Sequence, residues 1–71
     1  GRCGAITVNQ HTSCAFARVV VKDYDAHPSS TFLARSPVTS QTYTMHCEQA
    51  HGIVACDDNS TSRLAFKAPS P

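Results

Sequence analysis

In the stretch Thr42-Tyr43-Thr44-Met45-His46-Cys47, apolar and polar residues alternate, with Tyr43, Met45 and Cys47 on one face of an extended chain and Thr42, Thr44 and His46 on the other. A period of two marks a half-buried β-strand. Thr31-Phe32-Leu33-Ala34-Arg35 also reads as a strand, ended by a turn over Ser36-Pro37-Val38-Thr39-Ser40. After a loop from Glu48 to Gly52, Ile53-Val54-Ala55-Cys56 is expected to return antiparallel. Asp57-Asp58-Asn59-Ser60 then turns, and Arg63-Leu64-Ala65-Phe66-Lys67 alternates once more. Near the N-terminus, Ala5-Ile6-Thr7-Val8 alternates until Asn9-Gln10-His11-Thr12 breaks the pattern, which predicts a short strand or an extended arm.

Between these segments the period changes. Thr12 and Ser13 offer an N-cap, and Phe16, Val19, Val20 and Tyr24 then recur at i, i+3, i+4 and i+8 as one helical stripe. The Val19-Val20-Val21 triplet favours a strand, because β-branched side chains lose rotamer freedom in a helix. The stripe and the cap outweigh it, and a helix from Cys14 to Tyr24 is expected. Pro28 and the serines after it end the helix through Asp25-Ala26-His27. The sum is an α+β domain: one helix packed on a small antiparallel sheet of three or four strands, filling residues 1–67, with 68–71 as a tail.

The chain has 71 residues, of which 41% are apolar and 15% charged, a globular composition with room for one small core. Six Lys and Arg against five Asp and Glu leave a formal charge of +1, too little for the phosphate attraction that nucleic-acid binding rests on. No nucleic acid partner is expected. No apolar run approaches the ~18 residues of a membrane span, so no membrane insertion by this segment is expected, and no signal-peptide pattern opens the sequence. Both features fit a mature extracytoplasmic domain.

Four cysteines change the picture further: Cys3, Cys14, Cys47 and Cys56. Ordering ~70 residues costs on the order of 100 kcal/mol of conformational entropy, which so small a core barely offsets, so covalent staples are expected. Three pairings are open. Chain entropy mildly favours the crossed ones, at about 4 kcal/mol per bond against about 2.5–3 for neighbours. Local geometry favours Cys3–Cys14 around a turn at Asn9 and Cys47–Cys56 around a turn at His51-Gly52, and this is the pairing expected. The gaps of ten, thirty-two and eight residues lack the short knuckle of a zinc site, so no metal and no cofactor are expected. Disulfides imply an oxidising compartment: secreted, or otherwise extracytoplasmic in the cell envelope.

Several stretches stand in a recognisable order: Thr12-Ser13-Cys14-Ala15-Phe16-Ala17 with Val19, then Ser36-Pro37-Val38-Thr39 with Thr42-Tyr43-Thr44-Met45 and Cys47, then Val54 and Cys56. The chain resembles a small module of actinobacterial, especially mycobacterial, secreted and membrane-anchored proteins with the pattern TSCxFAxxV, SPVTxxTYxMxC and VxC. The resemblance covers nearly the whole chain. It implies an exported, cysteine-stapled domain and brings no activity or catalytic residue to carry over. Ser40 stands where such modules usually have glycine, and Asp57-Asp58-Asn59 replaces their Gly-Gly-Asn turn. These two turns are therefore expected to be longer or differently shaped.

Candidate chemistry is sparse. His11, His46 and Lys22 could compose a ribonuclease-like acid, base and cation, but no spacing brings them together. His46 and His51 bracket the second hairpin loop, His46 on the solvent face. Any of the serines could be drawn into a Ser-His-Asp triad, yet no nucleophile elbow is present, and the separated cysteines do not make a redox C-x-x-C. Tyr43, Met45, Phe32, Phe66 and Leu64 are read as core before they are read as a patch. Arg18, Lys22, Arg35 and Arg63 could share a face with Tyr24, suited to acidic envelope lipids or glycans. Asn59-Ser60-Thr61 has the N-glycosylation pattern, without meaning in a bacterial product.

The expected function is a non-catalytic extracytoplasmic binding or sensing module that recognises a protein or cell-envelope component, with Tyr24, Arg35, His46 and His51 as candidate binding residues. The alternative is a secreted effector or inhibitor acting on a host or competitor protein. The two differ in what the gene encodes upstream of Gly1: an anchor for the first, a free chain for the second.

Overall fold

The Thr12-Ser13 signal starts a helix where the sequence places it. In the computed structural model, which describes residues 1–68, α1 runs over Cys14–Ala26. The Ser13 side-chain oxygen accepts the Phe16 N–H at 3.1 Å, and the His27 N–H closes the other end on the Asp23 carbonyl, just before Pro28. Phe16, Ala17, Val20 and Tyr24 are buried, while Val19 and Val21 are half-buried on the flanks of the same stripe. Shared burial on one face lets the valine triplet remain helical against its propensity.

The expected three or four strands are six: β1 (Arg2–Cys3), β2 (Ile6–Val8), β3 (Thr31–Arg35), β4 (Thr42–Ala50), β5 (Ile53–Asp57) and β6 (Arg63–Lys67), in the order β1-β2-β6-β5-β4-β3. The last four form the expected meander. The extra pair arises because the N-terminal segment is a hairpin about Gly4-Ala5, and its second strand docks antiparallel on β6, Thr7 opposite Ala65. β4 runs on to Ala50, which shortens the expected loop to His51-Gly52, both at positive φ as a two-residue hairpin turn demands. At the other end, Ala68 donates its N–H to the Gly52 carbonyl at 2.8 Å and is half-buried, so the sheet takes up the first residue of the expected tail. The rest of that tail lies outside the described residues.

One face of the sheet meets the helix. Val8, Ala34, Met45, Val54, Leu64 and Phe66 point into it, and α1 reaches β3 at one edge as well as β1 and β2 at the other, so the sheet curls around the helix. Tyr24 packs on Phe66 and Phe32 at ring separations of 5.7 and 6.4 Å, and Phe16 on Tyr43 at 5.2 Å. Both disulfides face this core: Cys3–Cys14 ties β1 to the first residue of the helix, and Cys47–Cys56 joins β4 to β5. Cys47 and Cys56 are directly opposite, and the Cys47 N–H points away from β5 to the Ser30 carbonyl. They are thus a non-hydrogen-bonded pair, where strands approach most closely, and their Cα atoms are 4.1 Å apart. Closed disulfides without a free cysteine mark a chain that folds in an oxidising environment. Among the described residues, no helix is long and apolar enough to cross a membrane.

The two turns that lack glycine keep a left-handed residue: Ser40 has φ 63° and Asn59 has φ 64°. Asparagine tolerates this region, whereas serine is strained there. Ser40→Gly is therefore expected to stabilise the fold by about 0.5–1 kcal/mol, read as a rise in the midpoint of urea unfolding. An unchanged or lower midpoint would mean that the turn does not hold Ser40 in this conformation.

Candidate functional site

Among the described residues, nothing covers the face of the sheet that α1 leaves bare. Register sets its rows. Thr31, His46, Asp57 and Arg63 stand side by side across β3, β4, β5 and β6, while Arg2, Thr7, Ala65, Ala55 and Glu48 form the next row from β1 to β4. In the second row the central strands carry only alanines. Thr7, Ala55 and Ala65 floor an open trough of about 270 Å³ that Asn9 and Arg63 also line.

Arg63 and Asn9 also line a second, polar hollow of about 330 Å³, completed by Asp57, Asn59, Ser60, Thr61 and Ser62. Two side chains shape that hollow. An Asp57 carboxylate oxygen accepts the Asn59 N–H at 2.9 Å, and an Asp58 oxygen accepts those of Ser60 and Ser62 at 2.9 and 3.0 Å. Asn9 anchors the opposite wall by donating its amide to the Thr61 carbonyl at 2.7 Å. Trough and hollow meet at Arg63, so an apolar floor continues into a rim of hydroxyls, amide, carboxylate and guanidinium.

The Arg63 backbone is fixed by a buried side chain. Thr12 donates its hydroxyl to the Asn9 side-chain oxygen at 2.7 Å and accepts the Arg63 N–H at 2.9 Å, in place of the Asn9 carbonyl, which accepts the Thr12 N–H. Thr12→Val keeps the shape and leaves the Arg63 N–H without its acceptor, while the Asn9 oxygen still accepts the His11 N–H at 3.2 Å. A loss of about 1–2 kcal/mol in urea unfolding is expected, whereas a loss under about 0.5 kcal/mol would show that water replaces the hydroxyl.

The anticipated binding residues are dispersed. Tyr24 is buried between helix and sheet, with its hydroxyl 3.3 Å from the Gln49 side-chain oxygen, because it continues the stripe begun by Phe16. Arg35 and His46 are exposed on the bare face, and the His46 ring lies 3.4 Å from the Thr31 hydroxyl. His51 is exposed at the tip of the β4–β5 turn, about 16 Å along the strand from His46.

The four cations do not share a face. Arg18 and Lys22 are exposed on the helix, while Arg35 and Arg63 alternate with buried neighbours and lie beyond the sheet from it. Nor do His11, His46 and Lys22 meet: Lys22 is on the helix, His46 on the opposite side of the sheet, and His11 in the loop before α1. Among the described residues, no three His, Cys, Asp or Glu side chains converge as metal ligands would. Sequence reading missed Ala55 and Ala65, since alanine carries no chemistry and only the long-range β2–β6 pairing makes them a floor.

The fold is thus an α+β module with one helix held against a curled antiparallel sheet. No family profile, curated protein or solved structure matches the chain.

Proposed function

We propose that the chain is a binding module that works outside the cytoplasm and recognises a protein through the bare face of its sheet, without catalysis. The observation that carries this reading is the continuity of the alanine-floored trough with the polar hollow at Arg63. An aliphatic or aromatic side chain of a partner fits the trough, and neighbouring backbone amides and carbonyls fit the hydroxyls, Asp57 and Arg63 of the rim. A rigid sheet holds the floor, and the hairpin between β5 and β6 supplies the adaptable part. The resemblance to secreted and membrane-anchored actinobacterial modules and the two disulfides support placing this recognition in the cell envelope or beyond it.

The test fills the trough. Ala55→Arg adds bulk opposite Glu48, its register partner, so no like charges are brought together. Immobilised wild-type and variant protein are exposed to the same envelope and secreted fractions. The captured protein is expected to be held at least about tenfold more weakly by the variant, with unfolding unchanged. Capture that survives Ala55→Arg and is lost instead on Arg18→Glu would move recognition to the helix and end this reading.

A further inference from the structure

β3 is the last strand on its side of the sheet, and its backbone has two kinds of residue. The Ser30 carbonyl accepts the Cys47 N–H, and the Ser36 N–H donates to the Gln41 carbonyl, both at 2.9 Å. Even-numbered residues therefore turn their backbone groups toward β4, and odd-numbered ones turn theirs to solvent. Thr31 is already closed: the Ser29 hydroxyl donates to its carbonyl at 2.9 Å and accepts its N–H at 3.4 Å. The next odd residue beyond Arg35 is Pro37, which has no N–H. What stays open among the described residues is a run of four groups, the N–H and C=O of Leu33 and of Arg35.

We propose that this edge pairs antiparallel with the same edge of a second copy of the chain, about a two-fold axis at Ala34. The open groups favour that occupant because they are self-complementary. With Ala34 on the axis, Leu33 lies opposite Arg35 of the second copy and the reverse, so all four groups of each copy are hydrogen-bonded. An axis at Leu33 would set Arg35 against the closed Thr31. An axis at Arg35 would oppose two guanidinium groups and turn Leu33 toward a proline. The Ala34 register also lays the aliphatic stem of Arg35 over Leu33 of the second copy, and Leu33 is 67% exposed in the single chain. So short a contact buries much less than the ~1,200 Å² of a stable complex, and the pairing belongs to high protein concentration.

The native protein is compared at about 20 μM and about 1 mM by sedimentation, by amide exchange and by nuclear Overhauser contacts in a mixture of labelled and unlabelled chains. The expected result is a concentration-dependent dimer in which the Leu33 and Arg35 amides exchange severalfold more slowly and the two Ala34 Hα atoms are in contact. Leu33→Pro removes an N–H that the single chain does not use, together with an exposed side chain, and it is expected to abolish the dimer, the slowed Arg35 exchange and the Ala34 contact. A chain that stays monomeric at 1 mM overturns the inference, even if that edge accepts a strand of another protein. So does a dimer whose Leu33 and Arg35 amides exchange as in the monomer. Ala55→Arg, which fills the trough, leaves this pairing intact, so the two readings fail separately.

Discussion

Replacing Cys47 and Cys56 together by alanine is expected to lower the unfolding free energy by about 3–4 kcal/mol. Closing a ten-residue loop removes about 2.7 kcal/mol of denatured-state entropy, and the lost sulfur contacts under the helix add to it. A domain of this length has on the order of 4–11 kcal/mol in total, so the change takes a large part of it. The melting temperature should fall by roughly 15–25 °C. Replacing Cys3 and Cys14 removes a loop term of nearly the same size from a different place. That bond holds a two-residue strand at the rim, and its loss should first free the amides of β1, β2 and the opening turn of α1 to exchange. Intact mass after denaturing alkylation supplies the control: the native chain should be about 4 Da light and take up no alkyl group. A melting temperature unmoved by the Cys47 and Cys56 replacements would mean that this bond does not form in the folded protein.

The parts of the fold that were legible in the sequence are those in which the information is local. Ser13 caps the helix, the Phe16-to-Tyr24 stripe orients it, and the Tyr43-Met45-Cys47 alternation turns β4 so that His46 faces solvent. The neighbour pairing of the cysteines followed from the same local geometry, although chain entropy pointed the other way. β1 was not legible because two residues have no period. The docking of β2 on β6 was not legible because its partners, Thr7 and Ala65, are far apart in sequence and nothing in either segment names the other. That one pairing adds two strands to the sheet and creates the trough. The candidate site thus depends on the least local contact in the structure.

The residues that carry the sequence resemblance are occupied with the fold. Thr12 bonds the start of β6, Ser13 caps α1, and Phe16, Ala17, Met45 and Val54 fill the core. Ser36 is buried and accepts the Val38 and Thr39 N–H groups at 3.2 and 3.3 Å, which shapes the Ser36-Pro37-Val38-Thr39 turn. Such a pattern specifies a scaffold. Trough and rim are built instead from Thr7, Ala55, Asp57, Asn59, Thr61, Ala65 and Arg63, all outside the pattern.

Tyr24 separates scaffold from recognition most sharply, since its aromatic ring and its hydroxyl belong to different environments. The ring is buried against Phe66 and Phe32, and Tyr24→Ala should cost about 3–5 kcal/mol and leave the domain largely unfolded at 37 °C. The hydroxyl makes one long bond to Gln49 at the edge of the core, so Tyr24→Phe should cost no more than about 0.5–1 kcal/mol. Urea unfolding of the two variants measures both. If Tyr24 acts only through packing, Tyr24→Phe also captures partner as the wild type does. Loss of capture by Tyr24→Phe, with its stability retained, would assign the hydroxyl to recognition. The partner would then contact the helix side of the sheet near Gln49, and the alanine trough on the opposite face could not be the site.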